Sequence, residues 1–376
     1  MNVGITCYPS TGGSGVVATE LGLHLARGGH QVHFISYAIP FRLDKYEANI
    51  SYHGVETTAY PLFKFPPYTI TLAAKMAEVA RNSKLDILHM HYAIPHATCA
   101  YLAQRLLSDN GEVPPKIITT LHGTDITLVG QDPSFYDMTR FSINASDGLT
   151  AVSQYLADET KEVFKLDKDI RVIHNFFDPE RFRSSECRCA RADFATPDEF
   201  IIVHISNFRP VKRTLDVIDI FERISAQVPA RLLMIGDGPD IVLTRRQVKK
   251  KGLVDRVRFL GSQDRIEAVL PCADLFLIPS EEESFGLAAM EALACGVPVI
   301  GSSGTGLTEV VDDYKNGFLL PVGDTGSMSR AAVSLLKDTE RLQQFRKAAA
   351  KMALEKFAGE KIVAEYEQYY EEVLNG

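Results

Sequence analysis

Twice along this chain, short runs of β-branched and apolar residues alternate with longer segments whose apolar residues recur at helical spacing, and few folds satisfy that alternation. A strand, an amphipathic helix and a second strand close as a parallel βαβ unit with the helix covering the sheet. The first series places strands at residues 3–7, 31–37, 87–90, 116–121 and 149–152. Between the first two, Val17, Leu21 and Leu25 share a helical face and Gly28-Gly29 ends the helix; a second amphipathic helix fits residues 69–81. A charged, aperiodic stretch at 177–199 contains two prolines and reads as a passage between domains. The second series then places strands at residues 200–205, 230–235, 256–260, 275–278 and 297–300. A last helical pattern at 359–374 carries Ile362, Val363, Tyr366, Tyr369 and Tyr370. The expectation is an α/β chain with two Rossmann-like, doubly wound parallel sheets. Residues 1–178 form one domain and 179–359 the other, a deep cleft lies between them, and a helix at 360–376 packs back on the first.

Composition removes several function classes. The 376 residues include 45% hydrophobic and 23% charged residues, as in a globular protein with sizeable cores. A net charge of −8 gives no broad footprint for nucleic acid or an anionic membrane, so an anionic ligand must be held locally. No apolar run approaches the ~18 residues of a membrane span, and Met1-Asn2-Val3-Gly4-Ile5 lacks a basic leader, so a cytoplasmic protein is expected. Cys7, Cys99, Cys272 and Cys295 sit in apolar segments and read as reduced thiols. Cys187 and Cys189 form a lone C-x-C without the partners a zinc site needs.

Two loops can hold an anion. Gly12-Gly13-Ser14-Gly15 joins the first strand to the first helix, where backbone amides approach a ligand at a helix N-terminus. Gly13, Gly15 and Ala18 fit G-x-G-x-x-A, but the second strand ends without the acid that takes the ribose of NAD, which argues against a dehydrogenase. The second loop runs from Pro279 through Glu281-Glu282-Glu283-Ser284-Phe285-Gly286 into a helix opening near Leu287. The amides of Phe285, Gly286 and Leu287 suit a phosphate, and Glu291 lies about one turn further on, where a carboxylate can hold ribose hydroxyls. Glu281 and Glu282 read as charges favourable to the helix dipole, and Glu283 as a residue at the lip of the cleft.

With Glu283 and Glu291 separated by seven residues, the chain resembles the retaining GT-B glycosyltransferases of the family 4 type, marked by such a glutamate pair. The resemblance covers essentially the whole chain through Gly12 to Gly15, Gly29-His30-Gln31-Val32, Leu121-His122-Gly123-Thr124-Asp125 and Asn316-Gly317-Phe318-Leu319. It implies that Glu283 contacts the donor sugar, Glu291 the ribose, and the amides of Phe285, Gly286 and Leu287 the distal phosphate. Lys212 matches the family's diphosphate-binding lysine. Asn207 stands where many members have arginine, so Arg209 or Arg213 would supply that charge. Gly13, Gly15 and Arg258 complete the donor set, and His122 is implied beside the donor sugar and acceptor. His89 and His91 read as packing, with Tyr92 beyond them reaching the cleft.

Ser206 to Arg213, His174-Asn175-Phe176-Phe177-Asp178 and Thr119 to Asp125 narrow the resemblance to a subfamily that uses UDP-N-acetylglucosamine as donor and L-malate as acceptor in bacillithiol biosynthesis. Such a dianion needs cations or amides, and Arg140, Thr120, Tyr92 and Ser14 of the glycine loop are available in the first domain. No ligand-spaced carboxylate or histidine set faces the expected phosphate site, so neither a metal nor a cofactor is expected. A UDP-sugar epimerase on the same fold and a non-catalytic nucleotide-sugar sensor are the alternatives, and homo-oligomer formation is left open.

Overall fold

The computed structural model describes residues 1–9, 12–43, 46–57, 62, 64–182 and 191–376. Ser10 and Thr11 of the glycine loop and the pair Cys187 and Cys189 lie outside the described residues. The chain divides into two compact units, Met1–Asn175 with Glu360–Gly376, and Phe176–Gly359.

In the first unit, β1 (Asn2–Thr6), α1 (Gly13–Arg27), β2 (Gln31–Ser36), β3 (Ile50–Gly54), α2 (Tyr68–Ser83) and β4 (Ile87–His91) are followed by α3 (Thr98–Asp109), β5 (Lys116–Leu121), α4 (Tyr136–Ala145), β6 (Gly148–Ala151), α5 (Gln154–Phe164) and β7 (Arg171–Val172). Among the described residues these strands form a seven-stranded sheet in the order β3-β2-β1-β4-β5-β6-β7, each neighbouring pair parallel. The interior strand β4 is buried at every position, so that even His89 and His91, which alternate with Leu88 and Met90, lie inside the unit. Leu72, Met76 and Val79 of α2 and Ala100, Ala103 and Leu107 of α3 cover Leu88 and Met90 on one face. Burial of each large apolar side chain stabilises the unit by about 1.5 to 3 kcal/mol.

In the second unit, β8 (Phe200–Ile205), α6 (Thr214–Ser225), β9 (Ala230–Ile235), α7 (Ile241–Lys250), β10 (Val257–Gly261) and β11 (Leu275–Ile278) precede α8 (Leu287–Ala294), β12 (Val299–Ser302), α9 (Leu307–Val310), β13 (Gly317–Leu320), α10 (Thr325–Lys337) and α11 (Thr339–Phe357). The sheet order is β10-β9-β8-β11-β12-β13, again all parallel. Val217, Ile218, Phe221 and Ile224 of α6 pack with Ile202, Leu232 and Met234 in the core of this unit. The last helix, α12 (Gly359–Asn375), belongs mostly to the first unit, where Tyr366 and Tyr370 are fully buried.

Chain order reverses between β1 and β4 in one sheet and between β8 and β11 in the other. At such switch points the crossovers leave to opposite faces, and the carboxyl ends of the flanking strands open onto a crevice that accepts ligands. No helix among the described residues is long and apolar enough to cross a membrane. Cys7, Cys99 and Cys295 are free and buried, and burial pushes the Cys7 and Cys99 thiols up to about 12. Cys272 departs from the reduced-thiol expectation, being disulfide-bonded.

Candidate functional site

In the second unit, the loops after β8 and β11 meet. His204 donates from Nδ1 to the Leu277 carbonyl at 2.8 Å, so its Nε2 accepts from the Ser206 hydroxyl at 2.8 Å. That fixes the start of the β8 loop. Phe208 then takes a positive φ of 42° with its ring fully buried, which turns the chain and leaves Asn207 and Arg209 exposed on either side. A single 3-10 turn at Pro210–Lys212 carries Lys212 towards the β11 loop. There Lys212 Nζ lies 2.7 Å from Glu283 Oε1, and the Ser280 hydroxyl donates to the same oxygen at 2.7 Å. The amide of Glu281 donates to the Val211 carbonyl at 2.8 Å, so the two loops are joined through the backbone as well.

Glu283 is 9% exposed, and its Oε2 takes no hydrogen bond from the described residues. Gly286 opens α8 with φ +94°, a conformation that disfavours any residue with a Cβ, and a Cβ there would collide with Leu307. The amides that follow belong to a helix first turn and have no intrahelical acceptor. The Phe285 ring packs edge-on against Phe357 with centroids 5.4 Å apart, so only its backbone is available to a ligand. Glu291 is buried on α8. Gly306 passes so close to the Glu283 and Ser284 carbonyls that a Cβ would not fit, and its amide donates to Glu283 O at 2.8 Å.

Arg209 makes no ion pair among the described residues, whereas Arg213 Nε is 2.7 Å from Asp216 at the start of α6. Arg258 is not brought to this group. It stands on the edge strand β10, level with Leu233 of β9, donating to the Asp193 carbonyl at 2.8 Å with its guanidinium 5.3 Å from the Phe194 ring. The sequence reading missed Gly236 and Gly238, whose missing side chains let the loop after β9 touch the Ser206 and Asn207 carbonyls. Two glycines around Asp237 at a strand end were the available signal.

In the first unit, the carboxyl ends of β4 and β5 carry Tyr92 and His122. Tyr92 has φ +103°, a strained value for a side chain with a Cβ, and its ring lies 5.6 Å from His122 and 5.3 Å from Tyr8. His122 is half-buried, and its Nε2 lies 2.9 Å from Nδ1 of His91. Asp125 steadies this corner by accepting from the amides of Ala93 at 3.1 Å, Gly123 at 3.0 Å and His122 at 3.2 Å. Burial raises the Asp125 carboxyl to about 6, with those amides pulling it back down.

Thr120 does not reach this edge. Its hydroxyl is fully buried between His89 Nε2 at 2.7 Å and Thr150 Oγ1 at 2.6 Å, and so is engaged inside the unit. Arg140 is exposed on α4 with no ion pair among the described residues, and Ser14 and Gly13 open α1 behind Gly12, with Gly15 buried one residue on. His91, read from the sequence as packing, is fully buried, and its ring is also in contact with His122.

The loops after β8 and β11 thus bring Lys212 and the Glu283 carboxylate together just before the first turn of α8. Residues 190–352 match the family model for glycosyl transferases group 1, and residues 11–181 match that for Glycosyltransferase Family 4. An N-acetyl-alpha-D-glucosaminyl L-malate synthase of Bacillus anthracis is 48% identical over 375 residues, covering 100% of this chain and 97% of the relative. The chain belongs to the family 4 GT-B glycosyltransferases. A D-inositol 3-phosphate glycosyltransferase of Mycobacterium bovis is 27% identical, covering 87% of this chain and 71% of its own. The solved structure of Anabaena HepE with UDP and glucose superposes with a TM-score of 0.80 at 20% identity, covering 98% of each chain. Sucrose-phosphate synthase from Thermosynechococcus elongatus gives 0.79 at 20% identity, covering 100% of this chain and 99% of its own. At those identities the structural likeness speaks for the glycosyltransferase's fold alone.

Proposed function

We propose that this glycosyltransferase moves N-acetylglucosamine from UDP-N-acetylglucosamine to the hydroxyl of L-malate with retention of configuration, in the cytoplasm, as the first step of bacillithiol biosynthesis. The full-length identity of 48% to the Bacillus anthracis L-malate synthase carries the reading, and the cationic and amide groups around Glu283 support it. Lys212 and Arg209 neutralise the diphosphate, and the amides of Phe285, Gly286 and Leu287 take its distal phosphate. Glu283, its Oε1 held by Lys212 and Ser280, turns Oε2 to the sugar hydroxyls. Glu291 binds the ribose. Arg140, Tyr92 and Ser14 receive the malate carboxylates, Gly13 and Gly15 serve the donor, and His122 faces the reacting groups.

The bond between the anomeric carbon and the diphosphate oxygen breaks as the malate hydroxyl attacks from the same face, and the hydroxyl proton passes to the departing phosphate oxygen. Charge builds on the diphosphate in that transition state, where fixed cations and amides lower the barrier most. With Lys212 and Arg209 in that role, no divalent metal is required. Incubation with UDP-N-acetylglucosamine and L-malate should release UDP and give an α-linked product by the anomeric proton coupling, in excess chelator as well as without it. A β-linked product would overturn retention; conversion of the donor to its epimer without acceptor would overturn the transferase in favour of an isomerase.

A further inference from the structure

His91 closes β4, and in the parallel register it lies opposite Thr120 of β5, so His122 follows just beyond the end of the neighbouring strand. The two imidazole rings lie 5.1 Å apart with planes inclined by 26°, and His91 Nδ1 is 2.9 Å from His122 Nε2. Burial pushes His122 down to about 3 and His91 well below its usual value, so both rings are neutral near pH 7. A hydrogen bond between two neutral imidazoles holds one proton, and the two ways of placing it strand different groups.

If His122 Nε2 donates, His91 must carry its own proton on Nε2, which is buried and has no hydrogen-bond partner among the described residues. If His91 Nδ1 donates, that Nε2 is only an unused lone pair. A buried N–H without an acceptor is the rarer and costlier of the two. His96 shows the same choice made unambiguously: its Nδ1 donates to the His91 carbonyl at 2.7 Å, and its Nε2 is a buried lone pair without a partner among the described residues. The remaining nitrogen of His122, Nδ1, is not among the buried unpartnered atoms and belongs to a half-buried ring.

We propose that His91 is a positioning residue that holds His122 as its Nδ1–H tautomer, so that His122 meets the substrate as a hydrogen-bond donor and not as a base. Free imidazole side chains favour the other tautomer, so the contact with His91 reverses an intrinsic preference. A donor N–H at this edge suits an oxygen-rich or anionic ligand. The inference rests on the assignment of His122 to the site made above.

The test uses the full chain with 15N-labelled histidine, in which long-range proton–nitrogen spectra report each ring's tautomer without turnover. Asparagine places its amide N–H where Nδ1–H of histidine stands, and glutamine places it where Nε2–H stands, so His91→Asn and His91→Gln separate positioning from mere polarity. His122 should be Nδ1–H in the wild type and in His91→Asn, and should shift towards Nε2–H in His91→Gln. With that shift kcat should fall about tenfold or more while donor KM stays within about twofold, and His91→Asn should restore most of the rate. An Nε2–H His122 in the wild type, an unchanged tautomer in His91→Gln, or a shifted tautomer with unchanged kcat would each overturn the proposal. Full activity in His122→Leu would instead overturn the assignment of His122 to the site, an outcome kept distinct because the tautomer is read in the resting protein.

Discussion

Lys212 and Glu283 hold each other at 2.7 Å with side chains only 20% and 11% exposed, so each lowers the cost of keeping the other out of water. In the proposed function a bound diphosphate would share the lysine, and the glutamate would keep its second oxygen for the sugar. Replacing Lys212 with alanine removes charge-assisted bonds of about 1.5 to 3 kcal/mol, a loss of roughly ten- to a hundredfold in kcat/KM for the donor. Unchanged steady-state kinetics and UDP affinity would contradict the assignment. The two glutamates should fail differently. Glu283→Gln removes a charge expected to act most in the transition state and should lower kcat by about tenfold or more, about 1.4 kcal/mol. Glu291→Gln, on the helix behind the loop, should act chiefly on donor KM. Equal loss of kcat in both, measured at saturating acceptor, would overturn this division.

At the level of elements, the β11 loop depends on Gly286, which must adopt φ +94° to start α8 under Leu307. Gly286→Ala should cost about 1 to 2 kcal/mol in backbone strain alone and weaken UDP binding, read by thermal denaturation and calorimetry. Helix α12 reaches back to the first sheet through Tyr370, whose hydroxyl is 2.6 Å from His89 Nδ1. Tyr370→Phe strands that buried nitrogen and should cost about 1 to 3 kcal/mol in denaturant unfolding with the fold kept. Much of this framework was legible in the sequence, because the interior strands at 116–121, 200–205, 230–235 and 275–278 are apolar runs bounded by turn residues. β3 was not, since Ser51, Tyr52 and Gly54 are exposed on an edge strand and carry no apolar period, and β7 is only two residues long. Glu283 and Lys212 were legible because a charge beside a buried strand end needs a reason. Thr120 misled because a hydroxyl on a strand looks the same whether it faces a ligand or, as here, two buried partners. Arg258 misled likewise, its exposed guanidinium being taken up by Phe194 and Asp193.

For the whole molecule, the buried histidines set the response to acid. His89, His96 and His204 are fully buried, and burial lowers them to about 3, 4 and 4. The unfolded chain binds protons at these groups below pH 6.5 while the native protein does not, so their stabilising effect is present above about 6.5 and is lost as pH falls towards 4. Each such group changes stability by about 1.4 kcal/mol per pH unit within that window. Asp125, raised to about 6, works in the opposite sense between its unfolded value of 3.8 and 6 and offsets roughly one of the three. Denaturant midpoints should therefore fall steeply from pH 6.5 to 4.5, and a flat profile would contradict the neutral, buried state of these rings. UDP release from UDP-N-acetylglucosamine should be measured with L-malate, D-malate, L-lactate, succinate and no acceptor, without added metal. Rapid release is expected with L-malate, weak release with the acids that lack its hydroxyl, second carboxylate or configuration, and little without acceptor. Equal release with all of them, or none with L-malate, would contradict the proposed function.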